Sequence, residues 1–334
     1  MSRVAHFLNA HAGVIIFSVS LFGFLLGYLH PGMSSRLTIF LPVTVFFMIY
    51  PVMVTVAPNE LGRAFVDLRF LTVVALLSFL PGALAARVLS GVFFAGRPDF
   101  AVGLILYSLL PTINALGSWV RSAGGNVTLS IVMLSVTQLL AIVVLPAGMW
   151  LLARAFVEVD PLVLIRGLVQ IVVLPLVLGL LTRAMVRARY GERGLQFLLV
   201  TLPPYSVAGM AGTFFLIISR SAHDIIEHLT AVTSAILVLA TLYVVQMLLG
   251  VVVAKWLRFR YEDGFVLMLG AAAKNTAIGV ALASLYFNPL TVMVIVLAFI
   301  VQLPFNLLLS MGLTPQLQAI LTGGAGSGDR AAPV

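Results

Sequence analysis

The chain of 334 residues is dominated by apolar side chains: 61% of its residues are hydrophobic, 9% are charged, and its mean hydropathy is +1.15. Because a soluble domain carries about 25% charged residues, this composition indicates an integral membrane protein with almost no room for a soluble domain. The net charge of +8 is typical of membrane-protein loops and does not indicate a nucleic-acid partner. The chain has no cysteine, which excludes disulfides, thiolate metal sites and cysteine nucleophiles.

Ten apolar segments are long enough to cross a bilayer, which takes about 20 residues for a helix. In chain order, the predicted transmembrane helices are 12–29, 36–56, 69–87, 101–120, 126–152, 162–185, 195–218, 229–254, 264–286 and 289–312. The first segment lacks the features of a clear signal peptide and is therefore predicted to be a membrane span. The Gly- and Ala-rich tail at 323–334 is predicted to be disordered.

Lys and Arg residues are concentrated in the loops on one side of these spans, the side that also holds both chain ends. The positive-inside rule therefore predicts that the N- and C-termini are cytoplasmic. We expect a multi-pass protein of a plasma membrane or bacterial inner membrane, with lipid along its apolar faces.

The ten spans divide into two sets of five, at 1–156 and 157–322, within a single transmembrane unit. Because five is an odd number, the second set must enter the membrane from the opposite side, which is the inverted-repeat architecture of many secondary transporters. Each set closes in the same way, with a polar interruption, a tight join at an Asn and a long apolar span that carries one Gln. These residues are Asn126 and Gln138 in the first set and Asn288 and Gln302 in the second.

The fourth span reads LYSLLPTINALGSWVRSAGGN, with polar residues at its centre. Pro111 lacks a backbone N–H and clashes with the preceding turn, so the helix is expected to break there, with Gly117 adding to the break. Thr112 and Asn114 can then bind the freed backbone groups or a ligand. A half-helix that begins near Asn114 presents unpaired N–H groups and a positive dipole end, which suit an anion.

The ninth span contains a lysine, Lys274, within the apolar stretch MLGAAAKNTAIGVALASL at 268–285. A charged side chain at this depth is costly, and such residues usually face a cavity that carries substrate or ions. Asn275 and Thr276 follow with two uncharged hydrogen-bonding side chains. A break in this span is inferred from these three residues alone.

Three stretches resemble the bile acid:sodium symporter superfamily, which includes the related arsenite-efflux carriers. The run PTINALGSWVRSAGGNVTLS at 111–130 is similar to the signature of the family's spans 4 and 5, and LPVTVFFMIYPVMVTV at 41–56 is similar to the second span of the arsenite-efflux carriers. The segment AKNTA at 273–277 resembles the family's span 9, where sodium-coupled members have Gln-Asn-Ser.

The resemblance implies an all-α integral membrane protein of ten transmembrane helices in two inverted five-helix repeats. It further implies a panel domain and a core domain, in which the broken helices 4 and 9 cross near the midplane. Substrates in this family are organic anions in the symporter branch and arsenite or antimonite in the efflux branch.

The chain departs from the family pattern where sodium-coupled members bind sodium. Their Glu, four residues before the span 9 Gln-Asn, corresponds to Gly270, and their Ser-Asn pair in span 4 corresponds to Leu116-Gly117. One hydroxyl position of span 5 is filled by Leu134, although Ser130 is retained. All 11 acidic residues fall outside the cores of the predicted spans, so the sodium sites are expected to be lost. The absence of cysteine likewise argues against arsenite efflux by the usual chemistry.

We hypothesise that the Lys274 ammonium replaces the missing sodium and pairs with a bound organic anion in a site that excludes water. A desolvated lysine can also release its proton, and proton uptake together with the anion would make the protein an anion–proton symporter. The other candidate binding residues are Thr112, Asn114, Ser130, Gln138, Asn275 and Thr276.

Structural interpretations of the same residues stay open. Lys274 could pin carbonyls freed by the helix breaks, and Asn114 and Asn275 could be helix caps. Gln138 and Gln302 could be interhelical hydrogen-bond partners.

The function predicted from these features is sodium-independent secondary transport of small organic anions. Export of an oxyanion such as arsenite is one alternative. Cation–proton antiport is another, although the fourth span lacks the Asp that antiporters with crossed helices normally need. No carboxylate pair, Ser-His-Asp arrangement or metal cluster lies within the spans, so neither an enzyme nor a cofactor is predicted.

Overall fold

The structure, a computed structural model, describes residues 12–55, 68–158 and 160–321. Within these ranges the chain is helical and forms no β-strand. The helices are α1 (Ala12–Leu29), α2 (Pro31–Leu37), α3 (Leu41–Thr55), α4 (Leu68–Phe93), α5 (Pro98–Ser108), α6 (Leu116–Ser122), α7 (Val127–Ala153), α8 (Pro161–Leu168), α9 (Leu174–Thr201), α10 (Pro203–Arg220), α11 (Ala222–Glu227), α12 (Leu229–Trp256), α13 (Tyr261–Ala272), α14 (Thr276–Tyr286), α15 (Pro289–Leu307) and α16 (Thr314–Leu321). The predicted tail at 323–334 lies outside the described residues.

Length and composition place this helical chain in a membrane. Within the described ranges, six helical stretches are long and apolar enough to cross a bilayer: Pro31–Thr55, Thr72–Phe93, Val127–Ala153, Pro161–Arg220, Leu229–Trp256 and Pro289–Ser310. Large apolar side chains on the outer faces are exposed, among them Phe22, Ile39, Val92, Val143 and Trp256. Contiguous apolar surface of this kind is suited to lipid contact. The prediction of an all-α membrane protein is confirmed.

The stretch Pro161–Arg220 is too long for one crossing. Its 60 residues would extend for about 90 Å as a single helix, against a hydrocarbon core of about 30 Å. The chain turns at Gly191, whose φ of 64° and ψ of −166° lie in a region that only glycine adopts readily. The helix is therefore interrupted between the apolar parts of α9 and α10.

The helices pack as two groups in contact with each other. In the first group, α10 packs against α1 and α3, and α9 packs against α3. In the second group, α4 and α15 pack against α5, and α12 packs against α13. The second group contains two short helix pairs, α5–α6 and α13–α14, and the gaps within these pairs form the candidate site.

A π-helical segment, Val169–Val173, joins α8 to α9. Such segments are rare in proteins, and those that occur are often found at functional sites, because the extra residue in the turn disturbs the regular hydrogen-bond ladder. This segment lies beside α3 and lines two of the cavities described below.

Candidate functional site at the helix crossing

The fourth predicted span is broken at its centre, as its sequence predicts. Helix α5 ends at Ser108, and α6 begins at Leu116. Pro111 lies within this gap, where it cannot donate a backbone hydrogen bond and disfavours helical geometry in the residue before it. The gap exposes backbone groups within the membrane-spanning part of the protein, and these groups need partners.

The ninth predicted span is broken as well, although it contains no proline. Helix α13 ends at Ala272, and Ala273 is extended, with φ of −82° and ψ of 114°. Asn275 begins the second half-helix by capping it, because its side-chain oxygen accepts a hydrogen bond of 3.3 Å from the N–H of Ile278. The break inferred from Lys274, Asn275 and Thr276 is therefore present.

The two gaps satisfy each other's backbone groups. Thr112 and Lys274 form an isolated antiparallel β-bridge. On its two sides, Ile113 N–H donates to the Ala273 carbonyl at 3.0 Å and Asn275 N–H donates to the Pro111 carbonyl at 2.8 Å. The bridge joins the two broken helices at the point where each lacks its own hydrogen bonds.

The backbone N–H groups of the two bridge residues point away from the bridge and donate to side chains of other helices. Thr112 N–H donates to the hydroxyl of Thr137 on α7 at 3.2 Å. Lys274 N–H donates to the side-chain oxygen of Gln302 on α15 at 3.1 Å. The Thr112 hydroxyl adds a hydrogen bond of 2.8 Å to the Gly270 carbonyl, which ties the first gap to α13.

The Lys274 side chain is fully buried and points to α4. Its Nζ donates to the Ser78 carbonyl at close range and lies 5.7 Å from the centroid of the Phe79 ring. Among the described residues, the ion pairs are Arg187–Glu192 and Arg260–Glu262, so no carboxylate pairs with this ammonium. The contacts of the ammonium are thus a carbonyl oxygen and an aromatic face, both of which attract a cation.

Three amide side chains meet on the other side of the crossing. The side-chain oxygen of Asn114 accepts hydrogen bonds from Gln138 Nε2 at 2.6 Å and from Asn275 Nδ2 at 3.0 Å. Asn114 and Gln138 line a cavity of about 330 Å³ together with Ser135 and Thr55. The structure therefore brings Asn114, Gln138 and Asn275 together, whereas the ammonium of the neighbouring Lys274 turns away from this cavity.

The other predicted site residues have structural contacts. Ser130 donates from its hydroxyl to the Val127 carbonyl at 2.6 Å, and a Cβ at Gly117 would lie 3.3 Å from the Ser130 hydroxyl oxygen. Thr276 is buried and donates its N–H to the Lys274 carbonyl at 3.0 Å. None of these three residues lines the cavity beside Asn114.

Comparison with known proteins identifies the family of this chain. Residues 42–228, more than half of the chain, match the Sodium Bile acid symporter family. The chain belongs to this family. The matched part contains the first helix break and all of α7, and it ends before Lys274.

Two relatives of this transporter carry descriptions that include sodium. It is 24% identical over 292 residues to the "uncharacterized sodium-dependent transporter YocS" of Bacillus subtilis (strain 168), with 86% of each chain aligned. It is 26% identical over 195 residues to the "probable sodium/metabolite cotransporter BASS1, chloroplastic" of Arabidopsis thaliana, which is 58% of this chain and 47% of that one. The family and these relatives together support a membrane transporter.

Gly270, where the sequence resemblance predicts that the family's span 9 Glu is missing, is closed in by packing. A Cβ added to Gly270 would lie 2.4 Å from the Met133 sulfur and 3.2 Å from a methyl carbon of Leu116. Both of these neighbours are fully buried. The space beside Gly270 is therefore filled by a thioether and an aliphatic side chain, neither of which is a ligand that sodium favours.

Two Asn–Asp contacts secure the ends of the crossing helices, and sequence reasoning missed them. Asn126 caps α7 and donates from Nδ2 to Asp263 Oδ1, in the first turn of α13, at 2.8 Å. Asn288 caps α15 and donates from Nδ2 to Asp99 Oδ1, in the first turn of α5. The matching Asn joins were visible in the sequence, but their partners lie more than 100 residues away in the chain.

Proposed function

We propose that this transporter moves small organic anions by secondary active transport without sodium, with the Lys274 ammonium in place of that ion. Its proposed architecture is ten transmembrane helices in two inverted five-helix repeats, at 1–156 and 157–322. Both termini would face the cytoplasm from a plasma membrane or bacterial inner membrane. The observation that carries the proposal is the Thr112–Lys274 bridge, which puts a buried lysine where two broken helices meet. Within the described ranges this lysine has no carboxylate partner.

The matching contacts of the two halves support the inverted repeat. In each half, an Asn caps the last long helix and donates to an Asp in the first turn of the other half's broken helix. In each half, that same long helix also supplies the side-chain acceptor for the backbone N–H of a bridge residue. Contacts that recur with exchanged halves are expected of two repeats related by a pseudo-two-fold axis.

The helix inventory agrees with ten crossings. Folding the 60-residue stretch at Gly191 makes two crossings of it and brings the six membrane-length stretches to seven. Helix α1 and the two broken pairs, α5–α6 and α13–α14, supply three more. The broken pairs escape a test based on helix length because neither half is long enough alone.

The packing around Gly270 supports sodium independence. A dry sodium site needs several oxygen ligands, and a carboxylate at this position would have to displace Met133 and Leu116. The Ser-Asn pair of sodium-coupled members is Leu116-Gly117 here, and Leu134 lines the cavity without a hydroxyl. The sodium dependence in the relatives' names therefore belongs to those proteins.

The lysine contributes a positive charge that is covalently part of the protein. It is held against α4 by the Ser78 carbonyl, and its backbone is held by Gln302. The next residue, Asn275, bonds to Asn114 in the cavity wall. The ammonium does not line that cavity, but its buried charge would still attract an anion there, because a water-poor surrounding screens it weakly. A fixed charge gives uniport or exchange, whereas a lysine that binds and releases a proton with the anion gives symport.

Uptake into proteoliposomes tests the proposal. A panel of labelled carboxylates, with arsenite as a separate substrate, is assayed while sodium and pH gradients are imposed independently. The variants are Lys274→Ala and Lys274→Met, of which the second keeps an unbranched side chain of similar length. Lys255→Ala is the matched control because Lys255 is exposed near the end of α12.

The proposal expects carboxylate uptake that is indifferent to sodium, lost in both Lys274 variants and retained in Lys255→Ala. Dependence on a pH gradient would establish the proton-coupled branch. Wild-type uptake by both folded Lys274 variants across pH contradicts the role of the lysine. Uptake that requires sodium contradicts the sodium-independent mechanism, and movement of arsenite alone contradicts the organic-anion assignment.

A further inference from the structure

A second cavity lies at the opposite end of α3 from the Asn114 cavity. It has a volume of about 320 Å³ and lies between the start of α3, the last turns of α10 and α14, and the start of α15. Its polar lining residues are Arg220, Ser284 and Thr38. Its remaining lining is apolar and consists of Leu41, Leu216, Ile217, Phe287, Pro289 and Val292.

A third cavity lies along α3 between the second cavity, hereafter the Arg220 cavity, and the Asn114 cavity. Its volume is about 280 Å³, and it shares Leu41 and Ser284 with the Arg220 cavity. It follows α3 as far as Tyr50 and includes Gln170 and Ile171 of the π-helical segment. The Asn114 cavity continues from Val52 and is lined by Val172 and Val173 of the same segment. The three cavities thus follow α3 over about 20 Å, at 1.5 Å per residue.

Among the residues that line this second cavity, Arg220 carries a charge, and its side chain is exposed. Within the described part of the chain it forms no ion pair with an acidic side chain. Asp99, whose helix packs against α15, is hydrogen-bonded by Asn288. A guanidinium is always charged and presents a planar fork of donors that matches a carboxylate, which makes Arg220 a suitable first contact for one.

The structure assigns to this cavity a capture site for the carboxylate of an organic anion, with Arg220 as the binding residue and Ser284 beside it. The mainly apolar lining along α3 selects an anion with an apolar body over a small inorganic oxyanion, which would lose hydration there without replacement. The identification of this anion as the transported substrate rests on the proposed function. The capture site itself is assigned from the cavity and its charge.

The absence of cysteine allows a direct test that needs no transport. Ser284→Cys introduces a single thiol into the wall of the cavity, and its reaction with anionic and cationic methanethiosulfonate reagents reports the local potential. We expect the anionic reagent to react faster, and we expect this preference to fall about tenfold in the Arg220→Gln background. Benzoate at millimolar concentration should slow the reaction of the anionic reagent with Ser284→Cys when Arg220 is intact, and not in the Arg220→Gln background.

Two controls make the result specific. Thr55→Cys places the single thiol at the other end of α3, in the Asn114 cavity, where Arg220→Gln should leave the reagent preference unchanged. Arg220→Lys keeps the charge but not the fork, so the reagent preference should persist while benzoate protection weakens. A preference at Ser284→Cys that Arg220→Gln does not alter, in protein that remains monodisperse, overturns the assignment. Arg220 would then only complement the C-terminal dipole of α10.

Transport kinetics separate this inference from the proposed function. If carboxylates are transported, Arg220→Gln should raise KM several-fold with little change in kcat, and the effect should shrink with rising ionic strength. Transport with an unchanged KM and an unchanged thiol preference contradicts the capture site alone. A thiol preference that depends on Arg220, in a protein that transports no organic anion, contradicts the proposed function and leaves the anion site in place.

Discussion

Gln302 binds both backbone polar groups of Lys274. Its side-chain oxygen accepts from the Lys274 N–H, and its Nε2 donates to the Lys274 carbonyl, each at 3.1 Å. The two residues are 28 positions apart, on α15 and in the gap between α13 and α14. This double contact fixes the lysine in an extended conformation, from which its side chain reaches Ser78 on α4.

Removal of this contact should destabilise the protein. Gln302→Met leaves the Lys274 N–H buried without its acceptor, although the carbonyl still accepts from Thr276 N–H. An orphaned buried donor costs about 1–3 kcal/mol. We expect a lower Tm on thermal unfolding in detergent micelles.

Gln246→Met is the matched control. Gln246 is equally buried, but neither of its side-chain polar atoms has a hydrogen-bond partner among the described residues. The same substitution removes unsatisfied groups there, so it should be neutral or stabilising. Equal losses of stability at the two positions would mean that the Gln302 contact has no special weight.

The all-α membrane character and the two helix breaks were predictable because their signals are local. Apolar length gives the spans, Pro111 breaks the fourth helix, and Asn275 caps a half-helix that begins where the sequence predicts a polar interruption. The turn at Gly191 falls between the predicted spans 162–185 and 195–218, and its backbone conformation marks its position.

The sequence indicated the residue types of the candidate site, but it could not show the directions in which their side chains point. The sequence drew attention to Lys274 but could not show that its ammonium points to α4 instead of the amide cluster, because that direction depends on packing between distant helices. Ser78 and Phe79 had no signal of their own apart from the nearby Pro81 within α4. From the sequence, Gln302 could be either an interhelical hydrogen-bond partner or a site residue. In the structure it binds the backbone of Lys274.

The Asn–Asp contacts predict a reciprocal rescue. Asn126→Asp keeps the capping oxygen of α7 but places a carboxylate against Asp263, so it should lose about 1–2 kcal/mol of stability. Asp263→Asn added to it restores one donor and one acceptor across the contact and should recover most of the loss. A double-mutant cycle by thermal unfolding at pH 7 measures the coupling.

The equivalent pair at the other end serves as an internal comparison. Asn288→Asp with Asp99→Asn should follow the same pattern with a smaller amplitude, because Asn288 is exposed and water screens the contact. Additive effects in both cycles would contradict the view that these contacts hold the crossing helices.

Gly191→Ala should destabilise the turn within α9. No atom of the described residues lies within 4 Å of an added Cβ, so the cost arises from the backbone conformation and is about 1–3 kcal/mol. Gly96→Ala is the control, because that glycine also has open space around it but no positive φ. Thermal unfolding of the two variants should differ, and equal Tm values would contradict the requirement for glycine at this turn.

Gly270 and Met133 should be coupled through the space they share. Gly270→Ala places a Cβ within 2.4 Å of the Met133 sulfur, so we expect a loss of about 1–3 kcal/mol from overpacking. Met133→Ala alone should lose about 2–5 kcal/mol because it leaves a cavity in the core. The double variant should be more stable than the sum of the two losses allows, since the new methyl group enters the vacated space.

This cycle also tests why the transporter would not use sodium. If Met133 leaves no room for a carboxylate at position 270, Gly270→Glu should be tolerated only together with Met133→Ala. Sodium-dependent stabilisation should then be measured in this double variant. Measuring Tm in sodium and in choline chloride separates ion binding from ionic strength. Stable folding of Gly270→Glu alone, with a sodium-dependent rise in Tm, would show that the position is open and that only the missing carboxylate keeps sodium out.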